Sequence, residues 1–241
     1  MAQEAGPGPG LSIVIPCYNE EQRLPRTVDR IEGYLEERRP SYELILVDDG
    51  SGDGTRLIMD AAAERNERVR VESLPHNRGK GRALALGVAS AKGAEILVTD
   101  ADLSTPIEEL EKLQVALDEG AGVAIASRAV RGSRVELSQP FYRVLMGKVF
   151  NLIVQTLLLP GIWDTQCGFK LFKADVAREA FAALSTDGFG YDPEVLYHAR
   201  KRGVKIAEVP VVWRNSAPTK VSAIRSSVDM FWHLVRVRLR G

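Results

Sequence analysis

The sequence predicts an α/β protein whose central sheet is mostly parallel and has helices packed on both faces. Two observations lead to this prediction. Short apolar runs alternate with amphipathic segments through the first half of the chain, which is the pattern of repeated β-α-β units. Polar and acidic residues follow the ends of these runs, where sheets of this kind bind their ligands.

The first half of the chain accounts for most of the predicted sheet. Its apolar runs predict strands at residues 11–15, 43–47, 69–73, 95–99 and 123–127. Helices are predicted between them, at residues 24–35, 55–65, 79–91 and 105–120. The last of these is expected to begin with a capping box, formed by Thr105 and Glu108 with Pro106 at the first helical position.

The second half is less regular. Residues 141–159 are apolar with two spaced cations, Arg143 and Lys148, and are too short to cross a bilayer, which takes about 20 apolar residues. Further elements are expected in the order strand 169–172, helix 192–202, strand 206–213 and an amphipathic closing helix at 222–240. Residues 1–10 are predicted to be a flexible leader and residues 11–241 a single domain.

Composition narrows the classes of function. Lys and Arg together number 32, as do Asp and Glu, so bulk charge favours no nucleic acid partner. The only cysteines, Cys17 and Cys167, have no metal-ligand spacing and are expected to be reduced thiols, as in the cytoplasm. Residues 1–10 lack the apolar core of a signal peptide, so a soluble or peripheral protein is expected.

Two nucleotide-binding classes can be excluded from glycine spacing. A dinucleotide oxidoreductase needs G-x-G-x-x-G directly after the first strand, where this chain has residues 16–20, PCYNE. The compact glycine cluster at residues 77–81, NRGKG, does not match the phosphate-binding loop of P-loop NTPases either.

Four strand ends are predicted to meet at one rim of the sheet. They carry residues 16–20, 48–50, 100–102 and 127–131, which are rich in groups that bind nucleotides or metals. Asp100 and Asp102 offer oxygen ligands of the kind that Mg²⁺ or Mn²⁺ prefers. A plainer alternative is that Asp102 or Ser104 caps the next helix.

These motifs, taken in order, resemble a known family. Residues 11–20 (LSIVIPCYNE), 47–51 (VDDGS), 77–81 (NRGKG), 100–102 (DAD) and Ser127-Arg128 resemble the inverting family 2 glycosyltransferases. Residues 164–170 (DTQCGFK) and 238–240 (RLR) are similar to the dolichyl-phosphate β-glucosyltransferases, to which the dolichyl-phosphate mannose synthases are related. The resemblance implies a GT-A type fold with C-terminal interface helices.

The resemblance also implies roles for residues at the rim. Pro16, Tyr18 and Glu20 would line the base and ribose pocket, and Asp48 would contact the base. Lys80 would help bind the donor, and Asp100 would lie near its ribose and pyrophosphate. Asp102 would bind a divalent metal, with Asp100 beside it. Arg128 would contact the phosphates or the departing nucleotide. Mannose synthases carry a glutamine where this chain has Ser104, which favours the glucosyl assignment and UDP-glucose as donor.

Cations outside the rim receive roles from the same resemblance. Arg143 is assigned to the acceptor phosphate, and Arg214 and Lys220 to the donor and acceptor phosphates. Ordinary surface charge is the alternative for each. The aromatic and basic residues of the closing helix suggest either packing on the sheet or contact with an anionic membrane surface, expected to be the cytoplasmic face.

The predicted reaction is a single inverting displacement of the nucleoside diphosphate by a polyprenyl or dolichyl phosphate. Such an acceptor is largely ionised, because its second pKa is about 6, and needs positioning more than a general base. An alcohol acceptor would need a base, for which Asp164 and Asp192 are candidates. Three alternatives remain open: a GDP-mannose-dependent mannosyltransferase, a soluble enzyme acting on a small alcohol, and an inactive nucleotide-sugar-binding module.

Overall fold

The structure is a computed structural model that describes residues 8–38, 41–136, 141–188, 190–214 and 232–239, with residues 141–144 described by their backbone alone. The elements follow the predicted β-α-β order. The strands are β1 Leu11–Cys17, β2 Tyr42–Asp48, β3 Val69–Ser73, β4 Glu95–Val98, β5 Val123–Ser127, β6 Arg134–Glu136, β7 Lys170–Lys173, β8 Ile206–Pro210 and β9 Val212–Arg214. The helices are α1 Leu24–Arg38, α2 Thr55–Arg65, α3 Lys80–Ser90, α4 Leu110–Asp118, α5 Phe141–Leu157, α6 Ala174–Ala182, α7 Tyr191–Lys201 and α8, residues 232–239.

The described residues form a seven-stranded sheet in the order β3-β2-β1-β4-β7-β5-β8. Neighbouring strands are parallel except for β7, which runs antiparallel to both β4 and β5. Since β7 runs the other way, its first residue, Lys170, lies opposite Val98 at the end of β4. Lys170 therefore starts its strand at the edge where the parallel strands end.

The core is divided by the sheet into two apolar layers. Side chains alternate along β1, so that Ile13 and Ile15 face one layer while Val14 faces the other. The first layer is covered by α1, α2 and α4, and the second by α3, α5, α6, α7 and α8. The prediction of helices on both faces is thus confirmed.

Two local predictions were wrong. The strand expected at residues 206–213 is divided between β8 in the main sheet and β9, which pairs with β6 in a separate two-stranded sheet. Pro210, which lacks an N–H donor, stands at this division. The capping box at residue 105 does not form, because a 3₁₀ turn at Ile107–Glu109 follows Pro106 without a side-chain cap. The Thr105 hydroxyl is buried instead, 3.5 Å from the Cys167 sulfur.

The two ends of the predicted domain are described only in part. Residues 1–7 of the expected leader lie outside the described residues, but Gly10 already donates a hydrogen bond to the Ser41 carbonyl at 3.1 Å. Residues 215–231, most of the predicted closing helix, also lie outside. In α8 the side chains of Leu234 and Val237 are buried in the second core layer. Among the described residues, no helix is both long enough and apolar enough to cross a membrane.

Candidate active site

The loops that follow β1 and β2 are fastened to each other at the rim. Asn19, which has a positive φ of 55°, donates its backbone N–H to the Ser51 hydroxyl at 3.0 Å and accepts from the Gly52 N–H at 2.8 Å. The Glu20 N–H donates to the Thr55 hydroxyl at 2.7 Å. Tyr18 stands beside this junction with an exposed ring. The loops therefore hold polar groups together at the ends of neighbouring strands.

The two acidic residues at the end of β2 have different contacts. Asp48 is buried and accepts the Ser51 N–H at 3.0 Å, which closes its own turn. Asp49 reaches the NRGKG loop, where it accepts the backbone N–H groups of Arg78 at 2.7 Å and Gly79 at 2.8 Å. The sequence predicts that Asp49 lies at the rim, within residues 48–50 and the VDDGS motif, but gives it no role of its own. It aligns the loop that carries Lys80.

Lys80 and Asp100 form an ion pair at the centre of the rim. The Asp100 carboxylate also lies against Gly168, where a Cβ atom would collide with it, so the DTQCGFK motif touches the DAD motif. Burial opposes the ionisation of Asp100, but the adjacent Lys80 charge and hydrogen bond outweigh it, with help from Lys170 and Arg128, and lower its pKa. Asp100 is accordingly ionised at neutral pH, with Lys80 as its direct partner.

Asp102 is held in the turn after β4. One carboxylate oxygen accepts the Ser104 N–H at 2.9 Å, and the other lies 3.9 Å from an Arg23 nitrogen. Arg23 also pairs with Glu20 at 3.2 Å, so the DAD motif is linked to the loop after β1. Asp102 thus closes its own turn, although it caps no helix. Within the described part of the chain, no cluster of three or more His, Cys, Asp or Glu side chains is arranged to hold a metal by itself.

Arg128 and Asp164 form a second ion pair, in which the carboxylate is buried and the guanidinium is partly exposed. The guanidinium donates to both carboxylate oxygens, Nε to Oδ2 at 2.7 Å and Nη2 to Oδ1 at 2.8 Å, and the Arg128 N–H adds a third bond at 2.9 Å. Burial alone would raise the pKa of Asp164, but the charge and hydrogen bonds of Arg128 outweigh it and lower the pKa. The same guanidinium lies 5.3 Å from the centre of the Trp213 ring.

Glu208 on β8 holds the loop that carries Asp164. Its carboxylate accepts the backbone N–H groups of Trp163 at 2.7 Å and Asp164 at 3.0 Å. The sequence predicted a strand here but carried no signal that Glu208 would reach a loop 44 residues away. Glu208 on β8 and Trp213 on β9 therefore fix the orientation of the Arg128–Asp164 pair.

A third ion pair, with both side chains buried, lies at the start of β7. Lys170 is fully buried; its ammonium pairs with Asp192 and donates to the Cys167 carbonyl at 2.5 Å. The ring of Tyr191 lies near both the buried Lys170 and the partly buried Lys80, with its centre 5.5 Å from the Lys80 nitrogen and 5.9 Å from that of Lys170. Tyr191 was not identified from the sequence, although it adjoins Asp192.

The predicted cations beyond the rim have different outcomes. Arg214 is exposed on β9, where its N–H donates to the Ser104 carbonyl at 2.7 Å and its Nε to Glu136 at 2.8 Å. It therefore lies beside the loop that follows the DAD motif. Lys220 falls outside the described residues, and Arg143 lies where only the backbone is described. Their assigned roles stay predictions.

Comparison with known proteins identifies the family. The profile of the family named Glycosyl transferase family 2 matches residues 12–181, which include all the rim motifs described above. The chain belongs to this family. It is a family 2 glycosyltransferase.

Individual relatives match this glycosyltransferase along nearly its whole length. This chain is 37% identical to the dolichyl-phosphate beta-glucosyltransferase of Homo sapiens, over 95% of this chain and 75% of that protein. It is 35% identical to the protein of the same name from Dictyostelium discoideum, over 95% of this chain and 74% of the relative.

Solved structures show the same fold. Glucosyl-3-phosphoglycerate synthase from Mycobacterium tuberculosis, in complex with Mn²⁺ and UDP-glucose, matches with a TM-score of 0.71 and 21% identity, over 97% of this chain and 79% of that one. The complex of the same synthase with UDP matches with a TM-score of 0.69. The glycosyltransferase therefore has the GT-A type fold that its sequence predicted.

The glycosyltransferase also exposes apolar side chains on two helices of one core layer. On α5, Leu145, Val149 and Leu152 follow helical spacing and are each at least half exposed, with Lys148 among them. The opposite side of α5 packs Phe150 and Val154 into the core. On α8 the exposed residues are Trp232, Arg236, Arg238 and Leu239. We call the first set the α5 stripe and the second the α8 outer face.

Proposed function

We propose that this glycosyltransferase transfers glucose from UDP-glucose to a polyprenyl phosphate of the dolichyl type, with inversion at the anomeric carbon. Relatives more than one third identical over 95% of the chain carry the name dolichyl-phosphate beta-glucosyltransferase, which supports the acceptor and the sugar. The synthase that shares the fold was crystallised with UDP-glucose, which shows that this fold can hold that donor.

The observation that carries the proposal is the state of the two candidate bases. Asp164 is paired with Arg128 and has a lowered pKa, and Asp192 is paired with the buried Lys170. A carboxylate held in an ion pair with a fixed cation is a poor proton acceptor, because accepting a proton would break that ion pair. An alcohol acceptor needs such a base, whereas a phosphate with a second pKa of about 6 does not. The site therefore suits an acceptor that arrives as an anion.

The displacement then needs little proton chemistry. An oxygen of the acceptor phosphate forms a bond to C1 of glucose while the bond from C1 to the diphosphate breaks, and UDP leaves with the electron pair. Lys80 pairs with Asp100, Arg128 is near enough to lower the pKa of Asp100, and both cations would attract the donor diphosphate. Because Asp164 and Trp213 fix the guanidinium of Arg128, its direction is set before the donor binds.

A divalent cation fits the donor set at the DAD motif. Mg²⁺ is commonly held by one or two carboxylates together with substrate phosphates, so a site without a third protein ligand suits it. Asp102 would be the main ligand with Asp100 beside it, and the bound ion would neutralise charge that builds on the departing diphosphate. The complexes of the synthase with Mn²⁺ support the same class of ion.

The α5 stripe and the α8 outer face support contact with a membrane surface. Leucine, valine and tryptophan beside lysine and arginine are typical of helices that lie in the headgroup region of anionic bilayers. A lipid phosphate acceptor would be presented at such a surface. The cytoplasmic face, predicted from the sequence, remains part of this proposal.

A donor screen tests the proposal. UDP-glucose, UDP-galactose, GDP-glucose and GDP-mannose are each incubated with Mg²⁺ and a short polyprenyl phosphate, and products are measured by mass spectrometry. We expect a hexosyl lipid phosphate from UDP-glucose and little from the GDP-sugars. Product from GDP-mannose alone would replace the proposal with a mannosyltransferase, and calorimetry showing tighter binding of GDP than of UDP would agree with that outcome.

A further inference from the structure

A histidine of α8 contacts the start of α7. His233 Nε2 lies 2.8 Å from a carboxylate oxygen of Glu194, which is buried. The other oxygen of Glu194 accepts the N–H of Ser185 at 2.9 Å and its hydroxyl at 2.7 Å. Burial opposes ionisation of Glu194, but the nearby imidazole of His198 and the hydrogen bonds with His233 and Ser185 outweigh it and lower its pKa. Glu194 is therefore an anion that joins α7, the preceding loop and α8.

The imidazole also packs against the backbone at the entry to α7. A Cβ atom placed on Gly190 would lie 2.7 Å from His233 Cδ2, so the ring occupies the space that any larger residue at position 190 would need. Gly190 has φ −74° and ψ −2°, which other residues adopt readily, so close approach rather than backbone shape requires glycine there. His233 thus has a polar contact with Glu194 and a steric contact with Gly190.

The residues that directly follow Gly190 organise the rim. Tyr191 is fully buried between the lysines of the NRGKG and DTQCGFK motifs, and Asp192 neutralises Lys170. Lys80 in turn pairs with Asp100. A shift at the entry to α7 would therefore reach Tyr191 and Asp192 first and then both lysines. The chain from His233 to Asp100 consists of direct contacts at each step.

We propose that His233 is a positioning residue through which the docked α8 helix holds the start of α7, and with it the lysines at the rim, in the arrangement that binds the donor. His233 does not contact the rim itself and acts through Glu194 and Gly190. The inference rests on the proposed function only in taking Lys80 and Asp100 as part of the donor site. Since the outer face of α8 is the surface proposed to meet lipid, the same contact would connect the state of that helix to the rim.

Hydrogen exchange tests the coupling without requiring any activity. In full-length His233→Ala, peptides covering residues 76–84 and 185–196 should exchange about tenfold faster than in wild type, which corresponds to about 1.4 kcal/mol of lost protection. The matched control is His198→Ala, which removes an imidazole 3.5 Å from the same carboxylate but belongs to α7 itself. It should leave residues 76–84 unchanged. Unchanged exchange there in His233→Ala, or an equal change in both variants, would overturn the proposal.

A substitution at Gly190 tests the same contact by displacing the imidazole of His233. Gly190→Ala should displace the imidazole and reproduce the exchange pattern of His233→Ala. In the double variant the space left by the ring accepts the new methyl group, so Gly190→Ala should add little to His233→Ala. Equal effects of Gly190→Ala in both backgrounds would show that the glycine acts on its own and would contradict the coupling.

Kinetics separates positioning from general loss of structure. His233→Ala should raise KM for the sugar nucleotide more than it lowers kcat, and His233→Gln, whose amide nitrogen can reach Glu194, should restore most of the donor affinity. A fall in kcat alone, or no recovery in His233→Gln, would count against the proposal. If wild type turns over no sugar nucleotide, the proposed function fails while the exchange experiment still decides the role of His233.

Discussion

Arg128 and Asp164 hold each other by two side-chain hydrogen bonds of 2.7 and 2.8 Å, and the backbone N–H of Arg128 adds a third to the same carboxylate. Planar two-point contact is specific to arginine, since lysine offers a single ammonium. The pair has its own support from Glu208 and Trp213. The orientation of the Arg128 guanidinium is therefore fixed by the fold.

Substitutions in this pair should separate catalysis from stability. Arg128→Lys should lower kcat/KM by about 10²-fold, because a fixed cation directed at the departing diphosphate is lost. Asp164→Asn should leave the Arg128 charge without its partner and lower the free energy of unfolding by about 3 kcal/mol, somewhat less if solvent reaches the partly exposed guanidinium. Steady-state kinetics and urea denaturation measure the two effects. Arg134→Lys, on the exposed strand β6, is the control and should change neither; wild-type activity in Arg128→Lys would contradict the assigned role.

The DAD motif should confer metal dependence on nucleotide binding. Asp102→Ala should remove nearly all turnover and abolish the increase in UDP affinity that Mg²⁺ causes in wild type, as measured by calorimetry with and without EDTA. The fold should survive, because Asp102 lies in a turn at the rim and outside the two core layers. Asp118→Ala, at the exposed end of α4, serves as the control. Full Mg²⁺-dependent UDP binding by Asp102→Ala would show that the metal role is wrong.

Much of the rim was predictable from the sequence because strand ends follow local rules. Asp48 ends the apolar strand β2 and Asp100 lies two residues beyond β4, and the parallel arrangement brings such positions to one edge. The long-range pairings were not predictable in the same way. Arg128 and Asp164 were both named as site residues, but nothing local indicates that they meet, and Lys170 reaches the rim only because β7 runs antiparallel between β4 and β5.

The site residues whose roles were not predicted from the sequence are those that contact backbone groups or other side chains of the site. Asp49 and Glu208 accept backbone N–H groups from loops 29 and 44 residues away, contacts that appear only once the chain is folded. Tyr191 packs between two lysines that lie far apart in sequence. In contrast, the break between β8 and β9 did have a local signal, since Pro210 lies within the segment that was predicted to be one strand.

Membrane binding should depend on the α5 stripe. Leu152→Glu places a charge on its most exposed leucine and should reduce sedimentation with anionic liposomes, without loss of thermal stability. Leu57→Glu makes the same change at an exposed leucine of α2, on the other side of the sheet, and should bind like wild type. Binding of wild type should weaken as salt rises, because cations contribute to it. Equal binding by the two variants would remove the α5 stripe from the membrane contact.

The buried carboxylate of Glu43 should make the free energy of unfolding depend on pH in the acid range. Burial would raise its pKa, but bonds from Ser12 at 2.6 Å, the Lys92 N–H at 2.5 Å and Arg70 at 2.8 Å outweigh burial and lower it. A lowered pKa stabilises the fold above the unfolded value of about 4.3, and this contribution disappears as pH falls through the lower folded value. Wild type should therefore be more stable than Glu43→Gln at pH 7, with a difference that narrows below about pH 4. Urea denaturation from pH 7 to pH 3 measures this, and a difference independent of pH would contradict it.

The claim that the acceptor is a phosphate has the most direct test in a matched pair of acceptors. A short polyprenyl phosphate and the polyprenol of the same chain length are each given with UDP-glucose and Mg²⁺, and the lipid products are identified by mass spectrometry and their anomeric configuration by NMR. We predict β-glucosyl phosphate from the first acceptor and no glucoside from the second, because both candidate bases are held in ion pairs. Glucosylation of the polyprenol at a comparable rate, or an α-linked phosphate product, would contradict this account.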